Sequence, residues 1–225
     1  MNNILELNKV SKNFITEKKI KVLNNLSYKF KRGKIYSLMG PSGSGKSTLL
    51  NIISLIDRPS SGSVKFDDKQ VYFKDKKEND IFRSKNIGII YQNNNLLSDF
   101  TALENIYLAS LAINNNKNVA INNARNLLKK IGLSSRSDHL PSELSGGEAQ
   151  RISIARAIIN DPKIILADEP TGSLDTSNAK NIFQLLKDQK RPDRLIIFAT
   201  HNRFFANKAD YLLEIKDGSI KTTNV

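Results

Sequence analysis

The octapeptide Gly40-Pro41-Ser42-Gly43-Ser44-Gly45-Lys46-Ser47 has the spacing G-x-x-x-x-G-K-[ST] of a phosphate-binding loop. Its glycines let successive backbone N–H groups turn toward one anion. A helix opening at the end of the loop adds about half a positive charge facing the same point. Lys46 is placed to reach the terminal phosphates of a nucleoside triphosphate, and the hydroxyl of Ser47, followed by Thr48, to ligate Mg2+. Hydrolysis also needs a carboxylate that supports the ion and a group that orients water. Asp168-Glu169, after the apolar run Ile164-Ile165-Leu166-Ala167, supplies both: Asp168 toward Mg2+ and Glu169 as general base. Leu144-Ser145-Gly146-Gly147-Glu148-Ala149-Gln150 offers a second anion site, a hydroxyl and glycine N–H groups at a helix start. Taken alone it reads as an ordinary Ser/Gly cap. One nucleotide needs one cradle, so a second in the same chain implies clamping between two copies.

These groups must stand at the ends of fixed elements. Ile35-Tyr36-Ser37-Leu38-Met39 reads as a buried strand leading into the loop. Residues 48–57 read as a helix with Leu49, Leu50, Ile52, Ile53 and Ile56 on its inner side. Residues 87–91 form a strand that ends at Gln92. Residues 164–167 and 195–199 are continuous apolar strands, with a helix over 177–190 between them. Apolar strands alternating with helices predict a parallel sheet covered on both faces. Residues 4–7, 10–14 and 22–30 read as antiparallel strands, joined by a short one at 64–66. From 93 to about 160 the period is helical: 101–112, with Thr101 and Glu104 at capping-box spacing, then 119–131, stopped by Gly132, and 147–160. Tyr211 to Ile215 and Ile220 frame a closing hairpin. The expected class is α/β: a mainly parallel central sheet, an N-terminal antiparallel β subdomain and an inserted α-helical subdomain. The domain division expected is one domain over 1–225, with 1–92 and 161–225 as the nucleotide-binding core and 93–160 as the helical subdomain.

The 225 residues suffice for a sizeable core, and none is cysteine, which excludes disulfides and thiolate metal sites. No apolar run approaches the ~20 residues of a membrane span, and the N-terminal segment lacks a signal-peptide pattern. The net charge of +13 invites a nucleic-acid reading. The densest patches, Lys18-Lys19, Lys74 to Lys77 and Lys129-Lys130, carry no interleaved aromatic platform, so no nucleic acid is expected. A basic surface suits an anionic lipid or an acidic partner.

Taken in order, 40–47, Gln92, 144–150, 164–169, Ser173-Leu174-Asp175 and His201 resemble the nucleotide-binding subunits of ABC ATPases, over essentially the whole chain. They match the Walker A, Q-loop, signature, Walker B, D-loop and H-loop segments. The resemblance implies a homodimer holding two ATP molecules in its interface. Lys46 and Ser47 of one copy would face Ser145, Gly146, Gly147 and Glu148 of the other. Gln92 would join Ser47 and Asp168 around Mg2+ and sense the attacking water; Asp175 would organise the dimer contact; His201 would hold the γ-phosphate and water. Phe14, after Lys12, stands where the family places an aromatic against adenine, or else is a core aromatic. Two departures are Glu148, where Gln is commoner, and Asn202 after His201, where Asp is usual. His139 is expected to be structural or to lie at an interface.

The stretches 91–106, 141–148 and 166–175 are most similar to ATPases of bacterial lipoprotein-releasing systems. The last is shared with macrolide exporters and a cell-division ATPase. By this resemblance the chain would work at the cytoplasmic face of the inner membrane, bound to integral membrane subunits. Residues 93–112 would dock their cytoplasmic helix through Leu96, Leu97 and Phe100. The alternatives are the ATPase of a macrolide-type exporter or of a cell-division complex and, of another class, a soluble nucleic-acid-associated ATPase.

Overall fold

The computed structural model describes residues 2–15, 19–113 and 116–223. Met1 and Lys18, each part of a segment considered above, lie outside them. The chain forms two compact units, one of residues up to 80 with 190 onward, the other of 81–189. The segment 93–160 falls inside the second.

The first unit opens with β1 (Asn3–Ile15) and β2 (Lys19–Lys31), a long antiparallel pair. What reads in sequence as two strands is one, interrupted by bulges. Lys9 and Asn25 take left-handed backbone angles where the register shifts, and the Ser11 hydroxyl bonds both the side chain and the N–H of Asn25. The parallel core follows with β3 (Ile35–Met39), then α1 (Lys46–Ile53). Helix α1 ends four residues before the expected boundary, where Leu55 turns left-handed. Ile56 therefore lies beyond the helix and is 50% exposed instead of facing inward, while Leu49, Leu50, Ile52 and Ile53 are buried as expected. β4 (Ser61–Phe66) and β5 (Lys69–Gln70) complete an antiparallel sheet in the order β2-β1-β4-β5.

The chain leaves this unit along α2 (Lys76–Asn86), which has no buried residue and hence no apolar period to betray it in sequence. In the second unit β6 (Ile87–Ile90) is followed by α3 (Ala102–Leu111), α4 (Lys117–Lys130) and α5 (Gly146–Ile158). These three helices close on Leu103, Ile106, Tyr107, Ala124, Leu128 and Ile152. β7 (Ile164–Asp168) pairs in parallel with β6, and α6 (Thr176–Lys187) follows.

Back in the first unit, β8 (Leu195–Ala199) is wholly buried and parallel to β3, as burial on both faces requires. After α7 (Arg203–Ala206), β9 (Tyr211–Lys216) lies parallel to the other side of β3. β10 (Ser219–Thr223) pairs with β9 through Asp217-Gly218, both at positive φ, the geometry a two-residue hairpin turn demands.

Candidate active site

In the first unit the loop 40–45 joins β3 to α1. Gly40 (φ 149°) and Gly45 (φ 100°) occupy angles that side-chain-bearing residues rarely adopt. A Cβ on Gly40 would lie 2.4 Å from the Ile215 carbonyl oxygen, so only glycine fits. Over Gly43, by contrast, nothing lies within 4 Å of where a Cβ would stand, which leaves that side of the loop open. Lys46 opens α1, and its ammonium donates to the carbonyls of Gly40 (2.9 Å) and Pro41 (3.1 Å). The cation thus lies against the loop that it would serve. Ser47 is exposed in the first turn of α1 and Thr48 half-buried behind it.

Two further residues of this unit were expected at the site. Phe14 is 42% exposed, so it is no core aromatic; the Lys12 ammonium, bonded to Asp57 (2.6 Å) and the Arg58 carbonyl (2.8 Å), stands 5.0 Å from its ring centre. His201 is exposed just after the carboxyl end of β8. Asn202 caps α7 by accepting from the Phe204 N–H (2.9 Å), a task that Asn performs as well as Asp.

The second unit carries the carboxylates. Asp168 is the last residue of β7 and half-buried; Glu169 is 9% exposed and left-handed (φ 45°). Its carbonyl accepts the Gly172 N–H (3.0 Å), which folds the following residues back over it. A Cβ on Gly172 would meet the Glu169 Cβ at 3.4 Å and the Gln92 Nε2 at 3.5 Å. Gln92 and Glu169 therefore converge on one glycine. Among the described residues no three His, Cys, Asp or Glu side chains gather into a metal site. A divalent ion at Asp168 would have to take its remaining ligands elsewhere, as phosphate oxygens provide.

Ser145 caps α5: its hydroxyl accepts the Glu148 N–H (3.3 Å), and Glu148 accepts the Ser145 N–H (2.8 Å). Glu148 also pairs with Arg136 (3.0 Å). The Ser145 bonds, and then Arg136, hold its carboxyl down at about 2. Arg136 donates in turn to His139 Nε2 (3.0 Å), and the carbonyl of His139 accepts the N–H of Ala102 at the start of α3. His139 thus joins Arg136 to the start of α3. Arg136 escaped sequence reading; the signal was its spacing of three from His139. Asp175 caps α6, accepting from Ser177 (2.9 Å) and Asn178 (3.0 Å).

The loop from Gln92 to α3 is pinned from below. Arg156 donates to the carbonyls of Asn94 (2.7 Å) and Asn95 (2.6 Å). The buried Asn105 accepts the Leu97 N–H (2.8 Å) and donates to the carbonyls of Leu97, Phe100 and Thr101. Leu97 and Phe100 are left exposed, at 47% and 39%, whereas Leu96 packs against the helical core and not outward.

The expected site residues are divided between the two units. Phe14, 40–48 and His201 belong to the first; Gln92, 145–148, Asp168, Glu169 and Asp175 belong to the second. The sequence pattern of the ABC transporter family matches residues 23–172. The chain belongs to the ABC transporter family. The lipoprotein-releasing system ATP-binding protein LolD of Wigglesworthia glossinidia brevipalpis is 43% identical to this ABC protein over the full length of both. LolD of Rickettsia bellii is 42% identical over 97% of this chain and 98% of its own. The macrolide export ATP-binding/permease protein MacB of Mannheimia succiniciproducens is 41% identical over 97% of this chain and 34% of its own. Among solved structures, the ATP-binding cassette MJ0796, dimeric and bound to ADP and Pi, superposes with a TM-score of 0.91 at 35% identity over 98% of both chains. This ABC protein is accordingly an ATPase. Its fold is the α/β class expected, with an antiparallel β subdomain and inserted helices.

Proposed function

We propose that this chain powers the release of lipoproteins from a bacterial inner membrane, as the peripheral cytoplasmic ATPase of a complex with integral membrane subunits. The observation that carries this reading is the 43% identity, end to end, with a lipoprotein-releasing ATP-binding protein. Two copies enclose two ATP molecules, supported by the dimeric state of the similar cassette MJ0796. The N–H groups of 40–48 and the Lys46 ammonium bind the β- and γ-phosphates, and Phe14 stacks on adenine. Ser145, Gly146, Gly147 and Glu148 of the second copy close the far side, with Asp175 lining the contact between copies. Ser47, Gln92 and Asp168 would hold Mg2+, which would supply charge neutralisation on the phosphates. Glu169 takes the proton of the attacking water as the new P–O bond forms and the bond to the β-phosphate oxygen breaks. Gln92 orients that water, and His201 holds the γ-phosphate. The exposed Leu97 and Phe100 dock a cytoplasmic helix of the membrane subunits.

The test is a pull-down with tagged Glu169→Gln chain from detergent-solubilised membranes in Mg-ATP. Membrane subunits with large periplasmic domains, retained together with lipoproteins, are expected. A division-type membrane protein, or a soluble nucleic-acid complex, would overturn the purpose assigned while leaving the ATPase intact.

A further inference from the structure

Asp175, which caps α6, and the glycines of the signature segment, in the first turn of α5, belong to different elements. One side chain joins them. The amide nitrogen of Asn178 donates to Asp175 Oδ2 at 2.5 Å. Its amide oxygen lies 2.8 Å, and its Cγ 2.9 Å, from the point where a Cβ on Gly147 would stand. The plane of the Asn178 amide therefore rests on the first turn of α5, and no side chain fits at 147 while it does so. Leu174, on the other flank of Asp175, reaches Gly146 in the same manner, 3.6 Å from where its Cβ would be.

The start of α6 does not need this side chain. Asp175 Oδ1 already accepts the backbone N–H groups of Ser177 and Asn178, which cap the helix by themselves. Nor is the bond to Oδ2 idle: the Asn178 bonds hold the Asp175 carboxyl below its usual range, which keeps it charged and acceptor-only. A planar amide with its donor on one segment and its acceptor edge against the other sets the distance between the two.

We infer that Asn178 is a positioning residue that fixes the signature glycines to the Asp175 turn within one chain, so that both meet a bound nucleotide as one surface. The inference rests on the two-copy reading given above. Loosening Asn178 leaves each segment folded but lets the two settle independently. The loss then falls on closure of the two copies, not on the first nucleotide contact, which belongs to the loop 40–48.

The experiment uses the full chain carrying Glu169→Gln, which is expected to hold ATP unhydrolysed. Sedimentation gives the ATP-driven dimerisation midpoint, and a fluorescent ATP analogue gives the affinity of the single copy. With Asn178→Ala the single-copy affinity is expected to stay within about twofold, while the dimerisation midpoint rises roughly tenfold, the scale of one charge-assisted hydrogen bond. Asn178→Asp, equal in volume but unable to donate, shifts the midpoint at least as far. Unfolding midpoints in urea for Gly147→Ala, Asn178→Ala and the double variant are expected to be non-additive, because the methyl at 147 enters space that the amide vacates. Dimerisation of Asn178→Ala at the parental midpoint, or an additive cycle, would overturn the inference. Failure of the parental Glu169→Gln chain to pair in ATP would overturn the two-copy reading, and the inference with it.

Discussion

Glu169 is nearly buried and sits at a backbone angle that costs a non-glycine residue about 1 kcal/mol or more. Such a residue persists where its surroundings hold it, and here the Gly172 N–H bonds the Glu169 carbonyl. Glu169→Gln keeps the shape and removes the proposed base, so turnover should fall at least ~100-fold with ATP binding retained; near-parental turnover would remove Glu169 from the mechanism. Lys46→Ala should weaken nucleotide binding itself, as read by equilibrium titration. Glu148 gives a pH signature. Its folded carboxyl titrates near 2, below the ordinary value of about 4.3. The stability it contributes is therefore whole above about pH 4.3 and is lost as pH falls through about 2. Urea midpoints of the parent and Glu148→Gln should converge over that window, and parallel profiles would contradict the assignment. At this scale the sequence names candidate residues, because motifs specify residue types. It does not name Arg136 or Asn178, whose contacts reach residues of another helix.

Elements were legible in proportion to their apolar period. α3, with its capping box, and the buried β3 and β8 stand where the pattern places them. α2 buries nothing and stayed invisible, and the end of α1 is set by a left-handed Leu55 that no propensity announces. One polar position inside an apolar stripe was a readable signal. Asn105, between Leu103 and Ile106, is buried because it organises the loop before its helix. That loop carries the docking prediction. Charge at both exposed positions, Leu97→Glu with Phe100→Glu, should abolish co-purification of the membrane subunits while ATP binding stays within about twofold, since a desolvated interface tolerates unpaired charge poorly. Retained assembly would move the docking surface elsewhere.

For the whole molecule, a bound nucleotide is a lever on stability. Mg-ATP at about 100 times its Kd should add about 2.7 kcal/mol to the free energy of unfolding by mass action. In the Glu169→Gln chain the midpoint temperature should, besides, rise with protein concentration, as it must when ligand joins two copies. A concentration-independent midpoint would argue for a single-copy site. None of this is written in the net charge of +13, which constrains partners and solubility but not fold. The pinned loop of residues 94–101 has a kinetic consequence for assembly. With Arg156 beneath Asn94 and Asn95 and with Asn105 beneath Leu97 to Thr101, its shape is settled before any partner arrives. On the docking surface proposed above, an incoming helix would not have to wait for a rare conformer, and encounters in the right orientation would be productive. Asn105→Leu should slow the association rate and leave dissociation of the finished complex nearly unchanged, a difference that stopped-flow mixing with a peptide of the docking helix would resolve.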